Sequence, residues 1–233
     1  MAKWVCLIFI TKFVLLLNFV ILTLGNDLSS DFRAFYFIQQ WLPSYCNQKG
    51  TKCCYPPTGK PPASFSIYGL WPYKDDGSSP QNCAGASFDV APLKPIESML
   101  ETEWPSFTCP QIGRKFWLHE WNKHGTCSKS ALDEMSYFHA TLNLHNKINI
   151  LDVLAKANIK PNNKFYPLET IINVIALATR FKPFIFCNHD AQGNAQIWQI
   201  VHCVDKNGID LINCNTPLKG PQSCASSIKF PSY

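Results

Sequence analysis

Residues 116–127 read Phe-Trp-Leu-His-Glu-Trp-Asn-Lys-His-Gly-Thr-Cys, a segment dense in reactive side chains. Its reactive residues are His119, Glu120, Lys123 and His124. On a helix each residue advances about 100°, so these four fall within an arc of about 140°, which also includes Phe116. Trp117 and Trp121 lie one turn apart beyond the edge of that arc. Gly125 indicates where the helix ends. The segment therefore predicts an amphipathic helix with a reactive face and an aromatic edge.

The reactive face has the composition of a site for acid–base chemistry on a phosphate. Histidine titrates near neutral pH, with an ordinary pKa of about 6.5, and is the most common general acid or base. Lys123 supplies a positive charge for a phosphate whose charge grows in a transition state. A zinc protease helix needs His-Glu-x-x-His, whereas His119 and His124 are five residues apart, so we expect no metal site. The alternative, a helix with ordinary surface charges, accounts poorly for four such residues at this spacing.

Residues 1–25 resemble a signal peptide. Lys3 gives a positive start, and residues 13–24 form an apolar run interrupted by Asn18 and Thr23. That run is shorter than the roughly 20 residues that span a bilayer, although a retained membrane anchor is the alternative. We predict cleavage before Asn26 and a single mature domain over residues 26–233. The mature protein is then extracellular or vacuolar and free of the membrane.

Composition and cysteine usage agree with a secreted globular domain. Hydrophobic residues make up 46% of the chain, which contains seven tryptophans. Without Lys3 and Lys12 the formal charge falls from +5 to +3, an excess that permits RNA binding but does not by itself predict it. Cys6 lies in the signal segment, which leaves ten of the eleven cysteines, an even number that indicates disulfides. The absence of a Cys-x-x-Cys pair argues against zinc.

Hydrophobic periodicity predicts an α+β domain, in which several helices flank an antiparallel sheet. Strands are predicted over residues 32–41, 64–70, 184–187, 195–204 and 209–214, and helices over residues 93–104, 133–154 (as two helices) and 168–180. The last helix is almost wholly apolar, and we expect it to be buried. His139 and His145 are expected at the surface.

A second segment, residues 65–72, reads Phe-Ser-Ile-Tyr-Gly-Leu-Trp-Pro. It resembles the first active-site segment of the ribonuclease T2 family, Phe-x-Ile-His-Gly-Leu-Trp-Pro, and residues 116–127 resemble the second. With the cysteines and the aromatic first strand, the resemblance is to the plant S-like branch and extends over nearly the whole mature chain. The sequence departs from the motif at one position, because Tyr68 stands where the family has a catalytic histidine.

The resemblance implies RNA cleavage by transesterification through a 2′,3′-cyclic phosphate, without a cofactor. The reaction needs the 2′-hydroxyl group, so DNA is not a substrate. By position, His124 is the base, and His119, Glu120 and Lys123 hold and stabilise the phosphate. The acid belongs at position 68.

The resemblance also implies contacts with a base and a disulfide pattern. Trp71 and Phe116 position or stack a base, and Gln40 touches one; for Gln40 a buried, hydrogen-bonded glutamine is an equal alternative. The implied disulfides are Cys46–Cys53, Cys54–Cys109, Cys83–Cys127, Cys187–Cys224 and Cys203–Cys214.

Tyr68 changes the function that the sequence predicts. A phenol has an ordinary pKa of about 10, so at neutral pH it lacks the positive charge of an imidazolium. Losing one acid–base partner typically costs about 10²–10⁴-fold in rate. The favoured hypothesis is a monomeric, catalytically inactive, storage-type relative that keeps a cleft for weak binding of RNA or nucleotides. The alternative is a weakly active secreted endoribonuclease.

Overall fold

The computed structural model describes residues 32–56, 59–85, 87–110, 113–216, 218 and 224–233. The predicted signal peptide and the first residues of the mature chain lie outside these ranges. Within them, no helix combines the length and the apolar character needed to cross a membrane.

Seven strands in the described residues form one sheet in the order β2-β1-β5-β7-β3, with β4 and β6 also pairing with β5. The strands are β1 Ala34–Trp41, β2 Phe65–Tyr73, β3 Phe165–Pro167, β4 Phe184–His189, β5 Ala195–Val204, β6 Leu211–Ile212 and β7 Ser227–Lys229. The pairing is antiparallel except where β5 meets β7 in parallel at Gln196 and Lys229. The predicted α+β class is confirmed, with this one parallel contact added.

The helices lie largely where periodicity predicted them. They are α1 Leu42–Cys46, α2 Glu97–Glu103, α3 Gly113–Lys123, α4 Glu134–Lys147, α5 Ile150–Lys156 and α6 Leu168–Thr179. A 3₁₀ turn, Lys94–Ile96, precedes α2, and another, Gly125–Ser128, follows α3. Asp133 and Asn149 cap α4 and α5 by accepting hydrogen bonds from the backbone N–H groups of Ser136 and Asp152, which divides the predicted 133–154 segment into two helices.

The strand β1 lies at the centre of the core, and both of its faces are buried. Phe35 and Phe37 belong to the cluster that includes Trp117 and Trp121 of α3. Tyr36 lies in a separate cluster with other residues of β1, β4 and β5. A strand buried on both faces fixes the position of its neighbour β2, and therefore of the residues that β2 carries.

Two expectations about side-chain exposure were wrong. In α6, Ile171 and Ile175 are buried but Leu177 is 86% exposed, because the helix places only one of its apolar faces against the protein. His145 is mostly buried: its Nδ1 lies 3.2 Å from Glu103 Oε2, and its Nε2 lies 2.8 Å from the carbonyl oxygen of Phe65. This histidine therefore links α4 to α2 and β2.

All five disulfides that the resemblance implied are present. They are Cys46–Cys53, Cys54–Cys109, Cys83–Cys127, Cys187–Cys224 and Cys203–Cys214. Two of them tie down segments on either side of α3, since Cys109 precedes this helix and Cys127 follows it.

Candidate active site

Tyr68 lies in a β-bulge of the edge strand β2. Ile38 of β1 pairs with Gly69 and the next residue, Gln39, pairs with Ile67, so Tyr68 has no partner on β1. A bulge of this kind re-aims the side chain that it carries. The indole Nε1 of Trp104 donates to the backbone carbonyl of Tyr68 at 3.1 Å. The carbonyl of Trp104 in turn accepts from Trp117 Nε1 at 2.9 Å, which ties the bulge to α3.

The helix α3 divides its reactive residues between the protein interior and the surface. Trp117 and Trp121 anchor the helix in the core. Glu120 and His124 are also buried, with only 2% and 1% of their surface exposed. His119 is exposed, whereas Phe116 and Lys123 are partly buried. The four predicted residues therefore lie in two environments, and His124 lies one residue beyond the end of α3.

Trp71 holds the buried reactive residues together. Its Nε1 donates to Glu120 Oε2 at 2.9 Å, and its ring stacks on the imidazole of His124 with centroids 4.3 Å apart and planes 13° from parallel. The ring of Tyr68 meets that of Trp71 edge-on, with centroids 5.7 Å apart. Gly69 is required beside this cluster, because a Cβ atom there would collide with Glu120 Oε2 and Trp71 Nε1.

A cavity of about 450 Å³ opens beside this cluster. It is lined by Tyr68, Ser106, Thr108, Cys109, Pro110, Lys115, Phe116, His119 and Glu120. The structure thus brings Tyr68, Phe116, His119 and Glu120 to one cavity. Trp71 and His124 are not among the lining residues. The indole of Trp71 contacts Tyr68 and Glu120, which line the cavity, and also stacks on His124.

Gln40 is not among the residues that line the cavity. It is 4% exposed and pairs with Ser66 of β2 and Gln199 of β5. The position therefore agrees with the alternative of a buried glutamine.

Several residues of the cavity were not singled out from the sequence. Three of them, Ser106, Thr108 and Pro110, precede α3 in a loop. No local sequence pattern predicts the path of this loop. Lys115 was missed although a signal existed, since it lies four residues before His119 and hence on the same side of the helix.

This architecture and its sequence match those of a known protein family. The profile described as "Ribonuclease T2 family" matches residues 32–214. The chain belongs to the ribonuclease T2 family.

Individual members of the family match over most of the chain. Extracellular ribonuclease LE and intracellular ribonuclease LX, both from Solanum lycopersicum, are 43% and 46% identical. Each alignment covers 88% of this chain, and they cover 89% and 86% of the two relatives. The crystal structure of RNase NT in complex with 5′-AMP superposes with a TM-score of 0.82 at 46% identity, covering 87% of this chain and all of the other.

Burial sets the protonation of this ribonuclease T2 site. It raises the pKa of Glu120 to about 8, against the opposing effects of the Trp71 hydrogen bond and the charge of Lys123. It lowers the pKa of His124 to about 3, and the charges of Lys123 and His119 act in the same direction. The pKa of His119 is lowered as well, first by burial and then by Lys123. Buried groups thus favour their neutral forms, because the interior solvates charge poorly.

Tyr68 is affected in the same way. Burial raises the pKa of its phenol to about 12, and the nearby Glu120 carboxyl adds to the shift. At neutral pH the site therefore combines a tightly held phenolic proton with a neutral imidazole. Both ring nitrogens of His124 are buried and lack a hydrogen-bond partner among the described residues.

Proposed function

We propose that this protein binds RNA and nucleotides in the cleft beside α3 and has lost RNA cleavage, or retains very little of it. The observation that carries the proposal is the position of Tyr68. Its side chain lines the same cavity as His119 and Glu120, and it stands where the first active-site segment of this family has its catalytic histidine. The substitution therefore falls on the reacting centre.

The phenol of Tyr68 is a poor substitute for the missing acid. An imidazolium has a pKa near neutrality, whereas burial raises the pKa of this phenol to about 12. A general acid works best when its pKa lies near the working pH, because it must both hold and release the proton. Tyr68 also contacts two rings at once, Trp71 at 5.7 Å and Phe116 at 6.2 Å between centroids, which fixes it in the wall of the cavity. It can donate a hydrogen bond there, but it supplies no positive charge to a phosphate.

The groups that would bind a nucleotide are retained. His119 and Lys123 offer positive charge or hydrogen bonds to a phosphate, and Phe116 offers an aromatic ring to a base. Stacking on such a ring is typically worth about 1–3 kcal/mol per base. RNase NT, which is 46% identical, was crystallised in complex with 5′-AMP. These observations support nucleotide binding in the absence of efficient cleavage.

Location and physiological role belong to the same proposal. Residues 1–25 have the pattern of a signal peptide, the relatives include an extracellular and an intracellular ribonuclease, and ten cysteines form disulfides, as is typical of secretory proteins. We infer a monomer in the extracellular space or the vacuole, with storage as its role. Storage predicts that the protein is abundant in one tissue and is depleted when growth resumes, which quantitative immunoblotting over a growth cycle measures.

A second function, weak endoribonuclease activity, is favoured by the state of His124. The imidazole is unprotonated at neutral pH, as a general base must be, but its pKa of about 3 makes it a weak base and limits this function to slow cleavage. If the phenol of Tyr68 protonates the departing 5′-oxygen, slow transesterification follows.

The two functions are separated by RNA cleavage assays on the wild type, Tyr68→His and Tyr68→Phe. The proposal predicts that Tyr68→His raises the rate by at least about 10²-fold, the lower end of what one acid–base group contributes. Tyr68→Phe should then match the wild type, because the hydroxyl does no chemistry. Adding His124→Ala should abolish the gain, since an acid and a base that act as a unit are not additive.

The opposite pattern would identify an enzyme. If the wild type cleaves RNA as fast as Tyr68→His and Tyr68→Phe lowers that rate, the phenol is the acid and the second function holds. A folded Tyr68→His protein that stays inactive would show that the site is disabled at more than one position.

A further inference from the structure

Three basic residues follow one another along the outer side of α3. Lys115, His119 and Lys123 are spaced four residues apart, so each lies one turn above the last and about 6 Å further along the helix axis. Lys115 and His119 are exposed and Lys123 is partly buried. We call these three residues the α3 basic row.

The α3 basic row is not neutralised within the protein. Among the described residues, no ion pair involves Lys115 or Lys123. The neighbouring Arg114 differs, because its Nε forms an ion pair with Glu97 of α2. Positive charge therefore remains available on the side of α3 that carries His119.

The cavity lies beside the first two residues of the α3 basic row. Lys115 and His119 both line it, together with Phe116 and Tyr68. Its volume of about 450 Å³ lies within the usual range for small-molecule sites and accommodates a nucleoside. A nucleoside lying there would have the ammonium of Lys115 and the imidazole of His119 on two successive turns of the helix beside it.

We propose that the α3 basic row follows the backbone of single-stranded RNA, with Lys115 binding a second phosphate one nucleotide away from the phosphate at His119 and Lys123. The inference rests on the proposed function, since it takes this cleft to be where nucleotides bind. It adds that the preferred ligand is a strand with at least two phosphates. The nucleoside between these phosphates occupies the cavity, and one helical turn corresponds to the short separation of neighbouring phosphates on an extended strand.

The test compares a mononucleotide with a short strand. Calorimetry is run with adenosine 5′-monophosphate and with a 2′-O-methyl adenosine trinucleotide, which lacks the free hydroxyl needed for cleavage. The proteins are the wild type, Lys115→Gln, and Arg114→Gln as a control that removes the same charge from the adjacent residue. Each variant is first shown to unfold at the wild-type temperature.

Lys115→Gln should weaken trinucleotide binding about tenfold, as expected for loss of a charged hydrogen bond, and should leave the mononucleotide unaffected. The slope of log affinity against log salt for the trinucleotide should decrease by about 0.7, the contribution of one phosphate contact to a single strand. Arg114→Gln should preserve both affinities.

Three results would overturn the inference. The first is a trinucleotide affinity and salt slope that Lys115→Gln leaves unchanged. The second is an equal loss for the mononucleotide, which would place Lys115 at the first phosphate. The third, no binding of either ligand by the wild type, would remove the proposed nucleotide-binding function as well; in the first two results that function survives.

Discussion

Replacing Glu120 with glutamine should remove a pH dependence of stability that the burial of this carboxyl creates. Burial raises the pKa of Glu120 from 4.5 to about 8 in the folded protein, while in the unfolded chain the carboxyl ionises near its ordinary pKa. Between these values the folded state holds a proton that the unfolded state has released. The free energy of unfolding therefore falls as pH rises through this window, by up to about 1.4 kcal/mol per pH unit. Over the whole window the loss approaches about 5 kcal/mol.

Glu120→Gln leaves the local contacts in place. The amide oxygen still accepts the hydrogen bond of Trp71 Nε1, but the side chain cannot ionise. His124 has its pKa lowered to about 3 and contributes with the opposite sign below pH 6.5, yet it is present in both proteins and largely cancels from their difference. Lys123, whose charge favours the ionised carboxylate, is likewise common to both.

The measurement is urea unfolding of both proteins at pH 5, 6, 7 and 8. The free energy of unfolding of Glu120→Gln, relative to that of the wild type, should increase by up to about 1.4 kcal/mol for each pH unit. Glu97→Gln is the matched control: its carboxyl pairs with Arg114 and has a lowered pKa, so it is ionised in both states over this range. Parallel curves for the wild type and Glu120→Gln would refute the reasoning, because they would mean that Glu120 ionises in the folded protein as it does in water.

Two further substitutions test the packing around the site and the core. Gly69→Ala should destabilise the protein by about 1–3 kcal/mol, because a Cβ atom at this position breaks the buried hydrogen bond between Trp71 and Glu120. The control is Gly113→Ala, where the nearest atom to the added Cβ is 3.4 Å away and the stability should change by less than about 1 kcal/mol. Equal effects of the two substitutions in thermal unfolding would contradict the prediction. His202→Phe should reduce the loss of stability on acidification. Burial lowers the pKa of His202 to about 4, so the wild type loses stability as pH falls from about 6.5 to 4 and this histidine becomes protonated. Identical acid-unfolding midpoints for the two proteins would exclude a contribution of His202.

Much of the fold could be predicted because its signals are local. The aromatic run at residues 32–41 gave the first strand to within two residues of Ala34–Trp41. The segment 133–154 was correctly assigned to two helices from its apolar spacing, and Asp133 and Asn149 cap them. The disulfide pairing needed the family resemblance, since the spacing of ten cysteines does not choose among pairings.

What could not be predicted depends on partners distant in sequence. The strands Phe165–Pro167 and Ser227–Lys229 contain only three residues each and pair with each other across about sixty positions of the sequence. The bulge at Tyr68 likewise cannot be predicted from residues 65–73 alone, because it is a shift in the pairing register between β1 and β2. The burial of His145 follows from contacts with Glu103 and Phe65, which no local period shows.

The hydrogen bond from Trp104 to position 68 has an evolutionary consequence. The indole binds the backbone carbonyl, which every amino acid possesses, so the frame around the bulge does not depend on which side chain stands there. Codons for tyrosine and histidine differ only in their first base. A single point mutation therefore exchanges the phenol for an imidazole while this hydrogen bond stays available. On the proposed function, that one base change separates a chain that binds RNA from a chain that also cleaves it.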